Sequence, residues 1–454
     1  MYSLLWFRND LRIHDNEALF NAANSKLPVI GIYVFDDTEF RKTGFGFDSM
    51  ASHRLNFILE SLEDLKKNLE KLNIPLLVYK GDTADIIPKL DLDISAIYYH
   101  DEGAFFEKNI ENKLKSRMKN TEFYGFYGRN LFHPDDIPYE KNAVPSVFTA
   151  FKKKTENRTS VRAVFPDIKI QDKVVLDIEK NEIPRIEDFG FSKYKRDKRS
   201  SSDFYGGETQ ALKELDYYFF ETKLVLTYKE TRNGLTGRDF SSKLSPYLAR
   251  GCISPRYVYK KLKEFEDIEG SNDSTYWLFF ELMWRDYFYF VNEMYPIKMY
   301  SKYGIRGVDF SWDYNKEYMD KWIGGETGFE LVDAAMNELK ATGFMSNRNR
   351  QIASSFLTKN LNIDWRFGAE YFESMLIDFD VYSNYGNWQY GAGVGNDPRS
   401  FRYFSVEIQE KKFDKDRSFR DLWLEKDYNL DKIVDFKESI SKNKEKYKRA
   451  FNTL

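Results

Sequence analysis

Five short apolar or aromatic runs mark the first part of the chain, at 3–7, 28–35, 76–80, 94–99 and 122–126. Turn-forming residues bound each of them, which predicts strands. Between the second and third, Leu55, Ile58, Leu59, Leu62, Leu65, Leu69 and Leu72 recur at helical spacing behind Ser49 and Ser52, two candidate N-caps. Strands alternating with helices predict a parallel, doubly wound α/β sheet. Beyond Glu208 the period changes to three and four, over 276–294, 328–341, 349–360 and 369–376, which predicts an all-α C-terminal domain. From about 131 to 206 scattered prolines and a basic run, 193–199, show no sustained period. That is connector composition, and the basic run fits a solvated linker face better than a nucleic-acid patch. The expected division is 1–130, 131–207, 208–430 and a short charged segment over 431–454.

Length and composition narrow this picture. At 454 residues the chain exceeds one ordinary core. With 42% apolar and 31% charged residues, no uncharged apolar run nears the roughly 20 residues of a membrane span, so a soluble globular protein is expected. A net charge of -3 means that a nucleic-acid partner would need a local basic face. Cys252 is the only cysteine, which excludes an internal disulfide and a multi-cysteine zinc site; no metal is expected, and a reducing cytosol fits best. The stretch Met1 to Phe7 has no signal-peptide pattern, so no export is expected.

Candidate chemistry lies at three places. Ligands of open sheets sit beyond the strands' carboxyl ends, which makes Arg8, Asn9 and Asp10 either a site or a polar turn. No GxGxxG or GxxxxGK[ST] pattern follows the first strand, so a nucleotide site of those kinds is not expected there. Between 342 and 390, Arg348 and Arg350 stand against Asp378 and Asp380, with Trp365, Trp388 and Tyr390 interleaved. Guanidinium and carboxylate are rarely both buried unless they pair or meet a ligand, and the rings supply flat walls, so the set suits a large, flat, charged ligand. Glu281 precedes Trp284 by three positions, near one helix face, and an acid beside an indole can hydrogen-bond and stack a nucleobase. Ser241, Ser242, Lys243, Leu244 and Ser245 form a hydroxyl-rich loop before Pro246 that suits a phosphate, though ordinary helix caps look alike. A pyrophosphate there, with Arg285, Arg350, Asp378 and Asp380 around a ring system, would make a flavin dinucleotide site without a Rossmann motif.

The runs LLWFRNDLRIHDNEAL, SSKLSPYLARGCISPR, WLFFELMWRDYF, GETGFELVDAAMNELKATGFMSNRNRQIASSFLTKNLNIDW and LIDFDVYSNYGNWQY follow in order. On them the chain resembles the photolyase/cryptochrome family, and its DASH subgroup, over nearly its whole length. The resemblance implies an N-terminal Rossmann-like α/β antenna domain and an all-α domain holding FAD. It implies that Tyr228, Ser241, Ser242, Lys243, Leu244 and Ser245 hold the ribose and phosphates of a U-shaped FAD, with Arg285 nearby. Asn347 would lie near the flavin, Arg350 would pair with Asp378 above the isoalloxazine, Asp380 would meet its polar edge, and Asn384 would face N5, a photolyase-like choice. Trp388, Trp365 and Trp312 would carry electrons between flavin and solvent.

Glu281 and Trp284 would meet a flipped pyrimidine dimer, and Arg232, Arg348 and Arg402 the DNA phosphates. Tyr390 stands where many dimer photolyases have a second stacking Trp; less stacking area repays less of the few kcal/mol, roughly, that extrusion from a duplex costs. The implied function is light-driven repair of cyclobutane dimers, preferentially in single-stranded DNA, by electron transfer from reduced FAD. The alternative is a blue-light photoreceptor or DNA-binding regulator, disfavoured by the short stretch after Leu424. A generic flavin oxidoreductase would need a nicotinamide site that the sequence does not show, and all four histidines lie in the first half, which ranks (6-4) repair low. DASH relatives commonly carry 5,10-methenyltetrahydrofolate at the domain junction, where Glu102 would contact it or else serve as a first-turn helix acid. A cytoplasmic monomer working on DNA is expected.

Overall fold

The computed structural model describes residues 1–174, 181–399 and 401–451. Strands β1 (Tyr2–Phe7), β2 (Val29–Asp36), β3 (Leu76–Gly81), β4 (Ile94–His100) and β5 (Glu122–Phe126) form one sheet in the order β3-β2-β1-β4-β5, with every neighbour parallel. Each lies within one residue of its expected bounds. Side chains alternate across β1: Leu5 and Phe7 join a core that runs on into the helical half, while Leu4 and Trp6 enter a smaller core on the other face. Both faces of the sheet are covered, which is why β2 reads as an unbroken apolar run.

From Glu208 onward the named elements are all helices. The longest, Asp273–Met294, starts at Asn272, whose side chain accepts from the N–H groups of Ser274 and Thr275 while Thr275 caps back. The helices Asn347–Ser355 and Trp365–Met375 begin earlier than expected, because Ser346 and Asp364 cap them, and the first continues into a wider turn over Phe356–Asn360. The helix Ser52–Glu70 corrects one expectation. Its cap position is Ala51, with no side-chain cap; the Ser49 hydroxyl donates to the Glu39 carbonyl at 2.7 Å, and Ser52 is the first helical residue.

The middle segment, read as a connector because it lacks a sustained period, carries structure of its own. It contains the helix Phe148–Arg158, buries Phe148 and Phe151, and is pinned at its start by Asp286, which accepts from the Leu131 and Phe132 N–H groups at 3.0 and 2.8 Å. Its basic run stays on the surface, with Arg196 paired to Glu60 and Arg199 lying over the Trp423 ring. The C-terminal helix Phe436–Phe451 buries Ile440, Asn443 and Tyr447. Among the described residues no helix is long and apolar enough to cross a membrane.

Candidate functional site

A cavity of about 480 Å³ opens in the helical half. Its walls gather Tyr228, Arg232, Ser241, Ser242, Lys243, Leu244, Ser245, Glu281, Trp284, Arg285, Asn347, Arg350, Asp378, Asp380, Asn384, Trp388, Tyr390 and Arg402. Segments spread over 175 positions of sequence thus meet in one place. Three expected residues, Arg348, Trp365 and Trp312, lie off these walls, and Glu102 lines a different cavity.

The deeper charges are paired. Arg350 grips Asp378 with one nitrogen, Nη2 standing 2.9 and 2.8 Å from the two carboxylate oxygens, while its Nε donates to the Met345 carbonyl. Asp380 caps the helix Val381–Ala392 by accepting from the Ser383 N–H at 2.9 Å, and its other oxygen meets Arg129. Arg285 donates to the carbonyls of Arg129 and Leu248 at 2.5 and 3.1 Å; burial, helped by the charge of Arg129, lowers its pKa to about 9. The Asn384 amide donates to the Ala369 carbonyl at 2.9 Å, which leaves its oxygen for another partner.

At the loop, Lys243 takes a left-handed backbone conformation (φ 54°) that turns its side chain inward, over the Phe240 ring and onto the Ser241 hydroxyl at 3.2 Å. Burial pushes its pKa well down. The short helix Ser245–Ala249 that follows has Pro246 in its first turn and no side-chain cap, so its first N–H groups are not taken by a capping side chain.

Near the opening, Glu281 pairs with Arg232, and burial raises its pKa against that pull. Trp284 has one face covered: the Phe148 ring stacks on it at 3.7 Å and 13°. Tyr390 meets Trp284 edge-on, 5.9 Å away at 87°, and its hydroxyl accepts from Arg402 at 3.4 Å. Arg348 donates to Asn233 at 2.8 Å and lies over the Phe413 ring.

Trp388 packs into a notch in the helix Trp365–Met375, where a Cβ on Gly368 would come within 2.1 Å of its ring. Trp365 and Trp312 are neighbours, since their indole N–H groups donate to the same Lys302 carbonyl at 3.4 and 3.3 Å. Trp312 was expected at the solvent end, yet it is only 8% exposed, because Phe310 and Tyr447 cover it.

A smaller cavity of about 130 Å³ lies between the sheet's carboxyl ends and the helices. Arg8 and Asn9 line it, together with Glu39, Arg54, Glu102, Arg129, Arg250 and Asp380. Asp10 is not on its walls; it is buried, holding the Arg8 N–H at 2.7 Å and lying 3.0 Å from His100. Glu102 precedes the helix Phe105–Arg117, so it is not a first-turn acid; it accepts from Asn9 at 3.1 Å and Arg129 at 2.9 Å. Arg129 therefore bridges the two cavities through Glu102 and Asp380. Sequence reasoning missed it, and it missed Phe148, for lack of any local pattern around either residue.

Known proteins resemble this arrangement. Residues 3–169 match the family model described as DNA photolyase, and residues 277–451 that of the FAD binding domain of DNA photolyase. Cryptochrome DASH of Gloeobacter violaceus is 44% identical, over 93% of this chain and 85% of its own. The crystal structure of a Synechocystis sp. cryptochrome superposes with a TM-score of 0.93 at 39% identity, covering 98% of both chains. A class III photolyase from Agrobacterium tumefaciens gives 0.85 at 26% identity, over 99% of this chain and 98% of its own.

Proposed function

Starting from a chain that belongs to the photolyase/cryptochrome family, in its DASH group, we propose that it repairs cyclobutane pyrimidine dimers under light, preferentially in single-stranded DNA, by electron transfer from reduced FAD. One convergence carries the reading: Glu281, Trp284, Tyr390, Arg232 and Arg402 share a cavity with the Arg350–Asp378 pair, Asp380 and Asn384.

The donor set fits FAD. The uncapped first turn at Ser245 and the hydroxyls of Ser241 and Ser242 suit a pyrophosphate, and Arg350 with Asp378 makes a charge-balanced polar wall for a ring system. Phe344, Leu376 and Phe379 add apolar surface, and the spare oxygen of Asn384 suits a ring N–H. FAD, when bound, supplies light absorption and one-electron chemistry that side chains cannot.

The chain does the rest. Phe148 holds Trp284 from behind, so a base can stack only on the opposite face. Glu281 offers a carboxyl for the polar edge of that base, and Arg232, Arg348 and Arg402 give the local basic face that the net charge alone does not provide. Tyr390 stands perpendicular to Trp284 rather than parallel, so it adds little to the grip on an extruded lesion, which favours single strands. Trp388, Trp365 and Trp312 form the path for electrons.

We further propose methenyltetrahydrofolate as antenna in the smaller cavity. Arg54 Nε, Arg250 Nε and Glu39 Oε2 are buried there without partners among the described residues, a mix of donors and acceptor that suits a pterin edge beside Glu102. The reading takes the protein as a cytoplasmic monomer.

Blue or near-UV light on photoreduced, FAD-loaded protein with a dimer-bearing single strand should restore thymine absorbance, and Glu281→Ala should lose most of it. No recovery with FAD bound overturns repair. Light-dependent partner binding that survives Glu281→Ala would favour the regulator.

A further inference from the structure

Two buried titratable side chains have no part in the chemistry described so far. Tyr447, on the C-terminal helix, and Lys359, in the wide turn Phe356–Asn360, are both 0% exposed. They donate to one oxygen, the Ala392 carbonyl, Lys359 Nζ from 2.6 Å and the Tyr447 hydroxyl from 2.9 Å. The same Nζ lies over the Tyr447 ring, 3.9 Å from its centre. Among the described residues no carboxylate forms an ion pair with Lys359; Asp397 acts on it only at a distance. An ammonium buried without a counter-charge is costly, and burial accordingly pushes the pKa of Lys359 well down.

Tyr447 also touches the outer end of the tryptophan path. Its ring centre is 6.2 Å from that of Trp312, at 85°, and Phe310 packs against both at 4.1 and 4.5 Å. Trp312 is too well covered to face water directly. A phenol gives up an electron readily only when its proton can leave, and the carbonyl that accepts from the Tyr447 hydroxyl also accepts from the Lys359 amine, which lies over the same ring.

We propose that Tyr447 is the terminal electron donor of the relay and that Lys359 takes its phenolic proton. This rests on the Trp388–Trp365–Trp312 path proposed above. The Trp312 radical cation, the oxidant that this path delivers, takes one electron from Tyr447 and returns to neutral indole. In the proposed step Lys359 is the free amine: the Tyr447 hydroxyl turns from the Ala392 carbonyl, its O–H bond breaks, an N–H bond forms on Lys359, and the products are a neutral phenoxyl radical and an ammonium. A neutral radical separated from its proton exerts less pull on the electron just released, so it would outlast a tryptophan radical.

Flash photolysis of the FAD-loaded full chain, followed by time-resolved absorption and electron paramagnetic resonance, tests this. In the wild type a tryptophan radical should give way to a tyrosyl radical. Tyr447→Phe keeps the ring packing and should stop the sequence at the tryptophan radical. Lys359→Met keeps the chain length and should also lose the tyrosyl signal, although Tyr447 is present. Tryptophan radicals that decay without a tyrosyl signal in the wild type, or a tyrosyl signal that survives Tyr447→Phe, would overturn the terminal donor. A tyrosyl signal unchanged in Lys359→Met would overturn the base. Absence of any tryptophan radical would defeat the underlying path, and this proposal with it.

Discussion

The two cavities differ in how their charges are settled. In the larger one Arg350 and Asp378 satisfy each other, Asp380 caps a helix, and aromatic rings stand at fixed angles. In the smaller one, buried nitrogens of Arg54 and Arg250 and an oxygen of Glu39 lack partners among the described residues, and burial lifts the Glu39 carboxyl to about 7. A site with its charges paired in advance presents a fixed shape to a ligand and loses little when one binds. A site with unsatisfied buried groups gains most from whatever fills it. Arg129 ties the two together, so a change on one side reaches the other.

Removing the arginine of the paired site should separate the cavities most. Arg350→Ala leaves Asp378 buried alone, which costs about 3 kcal/mol. FAD affinity, read by titration, should fall by roughly a hundredfold, while occupancy of the smaller cavity changes little. Equal loss at both would break the distinction. Arg129→Met leaves Glu102 without its cation and Asp380 with only the longer contact to Arg285 at 3.7 Å, so denaturant unfolding should show a loss of about 2 to 3 kcal/mol, with both cavities weakened. Unchanged stability would mean that the bridge does not couple them.

A pH test sharpens the picture around Lys243. Glu338 is buried behind it, and burial lifts its carboxyl to about 8 against the pull of the Asn349 amide and the Lys243 charge. The folded protein therefore keeps a proton that the unfolded chain releases above 4.5. This contribution to stability is fully present below that value and is lost as pH rises through about 8. Glu338→Gln should remove the decline, making the variant more stable than wild type at pH 8 by on the order of 2 kcal/mol. A parallel fall in both proteins would contradict it.

The smallest effect should come from Phe148→Leu, which keeps an apolar side chain but removes the flat ring behind Trp284. Single-strand affinity should drop roughly fivefold, about 1 kcal/mol, with FAD binding intact. A loss of FAD instead would place Phe148 in cofactor binding.

Legibility in the sequence followed the range of the interactions. Four of the five strands were readable because each buries part of a short apolar run, β5 from its aromatic residues and flanking turns although it is only partly covered, and the larger cavity because its residues sit in contiguous runs such as SSKLSP and LIDFDVYSNYGNWQY. Arg129, Phe148 and Tyr447 were not. Each acts through partners far away in sequence, Asp380, Trp284 and Ala392; Tyr447 has a helical period in its favour, with Ile440 and Asn443, but none of the three carries a motif that names its partner. The cap of the helix Ser52–Glu70 was misread for a related reason: Arg54 takes the Ser49 carbonyl, and the Ser374 carbonyl takes the Ala51 N–H, tertiary bonds that replace a serine cap.

The most direct test of one cavity serving both flavin and lesion is the fluorescence of the bound, photoreduced flavin. A single strand carrying one cyclobutane dimer should quench it, and the same strand without the dimer should not. Equal fluorescence with both strands, under conditions where both are bound, would contradict a lesion held within electronic reach of the flavin.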